Sequence, residues 1–114
     1  MEFKRGDIVL VNLNPWRQKE EAGKIRPSVI VSDSIYNQIS DLIVIIPLTT
    51  NLLDNAGILR VRIEKRDKLD KDSDAMIEQI RCISKNRVIE KLSEVNKYEF
   101  EKIEQGLKSL LNLV

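Results

Sequence analysis

Short apolar runs rich in β-branched residues alternate with polar, turn-forming segments over the first three quarters of the chain. Such runs are typical of β-strands. The predicted strands cover residues 8–13, 28–32, 42–47, 58–63 and 75–84. The run at 42–47 is apolar on both faces, so we expect a central strand that is packed on both sides. The segments between the strands, at 16–25, 51–57 and 64–74, are polar or turn-rich and predict exposed loops.

Two segments carry helix signals. Asp33 and Ser34 can cap a short helix that ends near Ile39. Near the end of the chain, Asn96 is a candidate N-cap and Glu99 completes a capping box. The apolar residues that follow recur at helical spacing: Phe100, Ile103, Leu107, Leu110, Leu111 and Val114. Short strands with one amphipathic helix predict a mainly β (α+β) fold, a small barrel, in a single domain over residues 1–114.

Charge and composition narrow the possible functions. Charged residues make up 32% of the chain, yet the formal net charge is +1, which favours a local binding groove over a broad basic surface. One cysteine and no histidine exclude an internal disulfide and make a zinc site very unfavourable. We therefore expect no metal and no other cofactor. No apolar run matches a signal peptide or a membrane span, so we expect a cytoplasmic protein without a membrane partner.

Three segments place polar groups at or along predicted strands. They read G-K-I-R-P at 23–27, I-P-L-T-T at 46–50 and E-Q-I-R-C-I-S-K-N-R-V at 78–88. Arg26 offers a planar fork that matches two phosphate oxygens, although a loop arginine can also simply pair with Glu20 or Glu21. The Thr49 hydroxyl can donate to a phosphoryl oxygen, or it can cap the turn that follows its strand.

Together with K-R-G-D-I-V-L-V-N-L at 4–13, and in this order, these motifs resemble the MazF/PemK family of toxin endoribonucleases. The resemblance runs from residue 4 to about residue 88. It implies an SH3-like barrel of the PemK/CcdB type with a short helix and an amphipathic C-terminal helix. It also implies a homodimer that cuts single-stranded RNA at specific sequences without a metal, leaves a 2′,3′-cyclic phosphate, and is neutralised by a cognate antitoxin.

The resemblance also implies which residues act. Arg26 and Thr49 align with catalytic positions, and Glu78 aligns with an acid that either transfers a proton or orients Arg26. An arginine that accompanies this acid in some relatives is replaced here by Met76. If residues 75–84 form one strand, Glu78 and Gln79 point to opposite faces, and Gln79 suits the edge of a base. The residues expected to bind RNA are Trp16, Lys19, Glu21, Lys24, Thr50, Ser73, Gln79 and Arg81.

Some alternatives stay open at the level of sequence. Trp16 can stack on an unpaired base or plug its loop onto the barrel. The same barrel also serves DNA gyrase poisons of the CcdB type, because a fold does not determine a function. Those toxins depend on a tryptophan-containing C-terminal end, whereas this chain reads L-L-N-L-V there. A catalytically inactive toxin homologue that acts as a binding module is the third possibility.

Overall fold

The computed structural model describes residues 1–13 and 25–113. In this part of the chain the strands are β1 (Asp7–Asn12), β2 (Ile25–Ile30), β3 (Leu42–Thr49), β4 (Arg60–Ile63), β5 (Ser73–Met76), β6 (Arg81–Ser84) and β7 (Val88–Glu94). The α-helices are α1 (Ser34–Ile39) and α2 (Lys97–Leu110). Short 3-10 turns occupy Gly57–Leu59, Ile77–Gln79 and Lys85–Arg87.

The strands form one antiparallel, barrel-like sheet in the order β4-β5-β3-β2-β1-β7. Strand β3 lies at its centre and has β2 along one edge. Its other edge is shared, because the beginning of β3 pairs with β6 whereas Leu48 and Thr49 pair with β5. This architecture, with a short helix and a C-terminal helix, confirms the predicted mainly β barrel.

Apolar side chains of β1, β2 and β3 alternate between two buried clusters. In β3, Ile46 and Leu48 enter the cluster that also contains Ile103 of α2. Ile43 and Ile45 enter the second cluster, on the opposite face of the sheet. The prediction that this strand is covered on both sides is confirmed, because successive side chains of a strand point to opposite faces.

Both predicted helix starts are confirmed. The Asp33 carboxylate accepts hydrogen bonds from the backbone N–H groups of Ile35 and Tyr36, at 2.9 and 3.2 Å. At α2, the Asn96 side chain accepts from the backbone N–H of Glu99 at 2.7 Å. The Glu99 carboxylate in turn accepts from the backbone N–H of Asn96 at 2.9 Å, which completes the capping box.

Gly106 allows α2 to approach the turns Gly57–Leu59 and Ile77–Gln79 closely. A Cβ atom added at this position would lie 2.6 Å from the backbone oxygen of Ile58 and 3.2 Å from Cγ1 of Ile77. Glycine lowers the intrinsic stability of a helix, so α2 depends on this contact with the rest of the molecule.

Several predicted strand bounds were wrong. The predicted strand at 75–84 is two strands, β5 and β6, separated by the turn Ile77–Gln79 in which Ile77 is fully buried. The predicted strand at 58–63 begins only at Arg60, and Asp74 lies in β5 rather than in a loop. Strand β2 begins at Ile25, so Pro27 lies inside it, where it is opposite Leu10 of β1. The pairing of β2 with β3 starts at Ser28, the residue after Pro27.

Candidate active site

Arg26 and Thr49 lie at the same end of two neighbouring strands. The β2–β3 pairing ends at Ser28 and Pro47, so Arg26, two residues before Ser28, and Thr49, two residues after Pro47, lie at the same end of the pair. The guanidinium of Arg26 is half-buried, and its Nη1 donates to the backbone oxygen of Leu48 at 3.4 Å. A permanent positive charge therefore lies next to the residue that carries the candidate hydroxyl.

Thr49 is the last residue of β3 and is half-buried. Its Oγ1 accepts a hydrogen bond from the backbone N–H of Asn51 at 3.1 Å, so the side chain caps the following turn. This acceptor role leaves the hydroxyl hydrogen able to donate to a ligand. The two functions considered for Thr49 from the sequence are therefore compatible in one geometry.

Glu78 and Gln79 lie in the 3-10 turn between β5 and β6, and both are exposed. The prediction that they occupy opposite faces of a strand was wrong, because the chain turns here as Ile77 enters the core. Among the residues that the structure describes, no hydrogen bond or ion pair joins Glu78 to Arg26. Glu78 is thus an exposed carboxylate that pairs with no residue of the described ranges 1–13 and 25–113.

The predicted RNA-binding residues fall into different environments. Thr50 and Arg81 are exposed, the first beside Thr49 and the second on β6. Ser73 is 1% exposed, and its hydroxyl donates to the backbone oxygen of Lys71 at 3.1 Å. Ser73 therefore has a structural role instead of the predicted contact with RNA, because its side chain is buried. Trp16, Lys19, Glu21 and Lys24 lie outside the described residues.

Sequence reasoning missed a buried carboxylate beside Thr49. Asp74 of β5 is paired with Thr49 on one side and with Arg62 of β4 on the other, and it is 1% exposed. Its carboxylate accepts from Arg62 Nε at 2.6 Å, from the backbone N–H of Leu53 at 2.9 Å and from Arg60 Nη1 at 3.3 Å.

These donors determine the charge of Asp74. Burial on its own would raise the pKa of the Asp74 carboxyl, but the hydrogen bonds from Arg62, Leu53 and Arg60 outweigh burial and hold that pKa below its usual range. Asp74 is therefore an ionised group inside the sheet. The sequence signal that could have revealed Asp74 is the alternation of Arg60 and Arg62 in β4. Two arginines on one strand favour an opposite charge on the strand paired with it.

A shallow cavity of about 280 Å³ lies next to this cluster. It is lined by residues 53–57, which belong mostly to the 50–56 segment that follows Thr49, and by Arg60, Arg62 and Asp74. Within residues 1–13 and 25–113, no group of three or more carboxylate or thiol side chains is placed to hold a metal ion. Over the same residues, no helix is long and apolar enough to cross a membrane.

The described chain is thus a small protein with a barrel-like sheet that brings an arginine and a threonine to the same end of two neighbouring strands. The chain belongs to the PemK-like, MazF-like toxins of type II toxin–antitoxin systems, whose family model matches residues 4–111. It is 34% identical over 112 residues to an Endoribonuclease MazF of Staphylococcus saprophyticus, with 97% of this chain and 92% of the relative covered. This confirms the family that the motifs indicated.

Solved structures agree on the fold. The Mycobacterium tuberculosis toxin MazF-mt6 superimposes with a TM-score of 0.78 at 13% identity, covering 95% of this chain and 98% of the toxin. A mycobacterial endoribonuclease in complex with its cognate antitoxin gives 0.77 at 22% identity, with 97% and 96% covered. A MazE–MazF complex from Deinococcus radiodurans gives 0.74 at 18% identity, with 97% of both chains covered.

Proposed function

We propose that this chain is an endoribonuclease toxin that cuts single-stranded RNA at specific sequences and needs no metal. The observation that carries the proposal is the 34% identity to an Endoribonuclease MazF across nearly the whole of both chains. The approach of Arg26 to the end of β3 supports the proposal. It brings the guanidinium close to the residue that carries the Thr49 hydroxyl, so that one phosphate can contact both groups.

The proposed reaction uses the 2′-hydroxyl of the RNA as its nucleophile. The 2′-oxygen forms a bond to phosphorus, the bond from phosphorus to the 5′-oxygen breaks, and the products are a 2′,3′-cyclic phosphate and a 5′-hydroxyl. The 2′-hydroxyl loses a proton to a base, and the leaving 5′-oxygen gains one. Arg26 stabilises the charge that develops on the phosphoryl oxygens, and Thr49 donates a hydrogen bond to one of them.

Glu78 is the proposed proton acceptor or a group that orients Arg26 once RNA is bound. Its exposed position in the turn Ile77–Gln79 leaves it accessible to substrate. Gln79, Arg81 and Thr50 are the proposed RNA contacts among the described residues, since all of them are exposed polar groups. Trp16, Lys19, Glu21 and Lys24 complete the proposed binding surface.

The proposed partners are a cognate antitoxin and a second copy of the chain, and the proposed place of action is the cytoplasm. The relatives with known complexes, from mycobacteria and Deinococcus radiodurans, bind antitoxins. Exposed apolar side chains on α1 and at the start of β3 support a dimer, because a lone small barrel leaves them in water. They are Ile35, Ile39 and Leu42.

Incubation of the purified protein with RNA in EDTA tests the proposed function. We expect cleavage, with 5′-hydroxyl and cyclic phosphate ends on the fragments. Arg26→Lys should lose most of the activity, on the order of a hundredfold in kcat, because an ammonium group cannot bridge two phosphoryl oxygens. Sequencing of the 5′ ends of the fragments would also identify the cleavage motif.

Arg87→Lys is the matched control. The guanidinium of Arg87 also contacts a backbone oxygen at 3.4 Å, that of Leu13, so the two variants make the same change in similar settings. Normal cleavage by Arg26→Lys would refute the proposed role of the guanidinium. A requirement for Mg²⁺ would refute the cyclic-phosphate route, and intact RNA together with inhibition of DNA gyrase would favour the CcdB-type activity.

A further inference from the structure

We propose that Asp74 is a positioning residue that holds the hydroxyl of Thr49 in place through Arg60 and the 50–56 segment. The proposal rests on the proposed function, because it concerns the geometry of the same site. It assigns a catalytic purpose to Asp74 and Arg60, which touch neither Arg26 nor Glu78 among the described contacts.

A continuous chain of hydrogen bonds joins the two residues. Arg60 Nη1 donates both to the Asp74 carboxylate, at 3.3 Å, and to the backbone oxygen of Asn51, at 3.1 Å. The backbone N–H of Asn51 donates to Thr49 Oγ1 at 3.1 Å. The orientation of the Thr49 hydroxyl therefore depends on the position of the Asn51 peptide groups, and Arg60 ties Asn51 to Asp74.

A second hydrogen bond joins buried Asp74 directly to the 50–56 segment. The backbone N–H of Leu53 donates to the Asp74 carboxylate at 2.9 Å, so Asp74 holds the segment two residues beyond Asn51 as well. Asp74 is also the β5 residue paired with Thr49. It therefore lies next to the end of β3 and contacts the segment that follows. A buried carboxylate suits this role, since charge-assisted hydrogen bonds are shorter and stronger than neutral ones.

The charge balance of the cluster argues against a separate phosphate site. Arg60 and Arg62 are paired with Asp74, and Arg62 Nη2 also donates to Asp54 at 2.9 Å. Two positive charges thus meet two negative charges, and the cluster offers a polyanion no net attraction. Its contacts are directed at the 50–56 segment, which is why we assign it to positioning.

The Arg62–Asp54 pair supplies a control, because among the described contacts Asp54 takes no part in the hydrogen bonds that lead from Asp74 through Arg60 and Asn51. The Asp54 side chain is 82% exposed, and its carboxylate accepts a hydrogen bond from Arg62 Nη2 at 2.9 Å. Asp54→Asn makes the same chemical change as Asp74→Asn within the same cluster. It leaves intact the hydrogen bonds that link Asp74 to Thr49 through Arg60 and Asn51.

The test measures kcat and KM for an RNA oligonucleotide, with the folded fraction of each variant determined by circular dichroism. Asp74→Asn should lower kcat roughly tenfold with KM little changed, because a small displacement of a catalytic group impairs the transition state. Asp54→Asn should leave both constants unchanged. Arg60→Gln should lower kcat as Asp74→Asn does. The variant that combines both substitutions should lower kcat no further than either one alone.

A spectroscopic measurement separates positioning from a loss of stability. The ¹³C-methyl NMR signal of Thr49 should move in folded Asp74→Asn and stay in place in Asp54→Asn. If Asp74→Asn does not fold, the same measurements of kcat and of the Thr49 methyl signal are made on Arg60→Gln. An unmoved Thr49 methyl signal, or a kcat within twofold of the wild type in the folded variant, overturns the proposal. A wild-type protein that cuts no RNA refutes the proposed function instead, and the methyl signal still decides the role of Asp74.

Discussion

At the scale of single residues, two buried polar side chains in the central strands are satisfied to different degrees. The Asp74 carboxylate accepts hydrogen bonds from Arg62, Leu53 and Arg60. The hydroxyl of Ser28 is fully buried in β2 and has no hydrogen-bond partner among the described residues. Burial of an unpaired polar group destabilises a fold, so these residues should respond to substitution in opposite directions.

Ser28→Ala should stabilise the protein. Removal of the unpaired hydroxyl relieves its desolvation, and we expect the free energy of unfolding to rise by roughly 1 kcal/mol. Ser93→Ala is the control, because Ser93 is also a buried strand serine but donates to Asp67 at 2.6 Å. Urea unfolding should show a gain for the first variant and a loss for the second, and a loss for both would contradict the prediction.

Asp74 should make stability depend on pH in the acid range. Its pKa in the folded chain lies below the ordinary value of 3.8, so its contribution is complete above that value and is lost as the pH falls further. At pH 7 we expect Asp74→Asn to lower the free energy of unfolding by about 2 kcal/mol. Urea titrations from neutral pH to about pH 3 should show the two proteins converging, and a constant difference would be evidence against this assignment.

At the scale of elements, the contact between α2 and the turn Gly57–Leu59 opposes the usual helix preference. Alanine at 106 would favour a free helix by about 1 kcal/mol. In the folded chain its methyl group would lie 2.6 Å from the backbone oxygen of Ile58, which belongs to that turn. The steric term should therefore determine the sign of the change.

Gly106→Ala is expected to destabilise the protein by roughly 1–3 kcal/mol, because overpacking against backbone forces the helix away from the sheet. Thermal unfolding should show a lower Tm. Gln105→Ala, at the neighbouring exposed position of α2, should leave the Tm nearly unchanged. A Tm for Gly106→Ala at or above that of the wild type would mean that helix propensity outweighs the contact.

The sequence predicted those elements whose signals are local. Asp33 and Asn96 mark helix starts because their side chains bond to backbone groups within three residues. The break between β5 and β6 was missed, because the apolar pattern continues through Ile77, and only packing reveals the turn. Arg26 and Thr49 were identified by motif, whereas Asp74 depends on pairing with a strand distant in sequence.

At the scale of the whole molecule, the proposed dimer follows from apolar surface on the described chain. Ile39 is 82% exposed and Ile35 69% exposed, both on the short helix α1. Light scattering at micromolar concentration should give about twice the chain mass of 13.2 kDa. A mass equal to that of one chain would refute the dimer. Ile39→Lys should shift the mass toward one chain if α1 contributes to the interface, and Lys97→Glu at the exposed start of α2 serves as the control for a changed charge.

The strand order also governs when a newly made chain becomes harmful. Thr49 gains its neighbour Asp74 only after β5 has been synthesised, and β1 gains its neighbour β7 later still. A growing chain that ends before β5 therefore contains Arg26 and Thr49 but lacks strands that pair with β3 and β1. We therefore expect a growing chain that still lacks β5 and β7 to cut no RNA, so that the proposed activity begins only after both strands have been made.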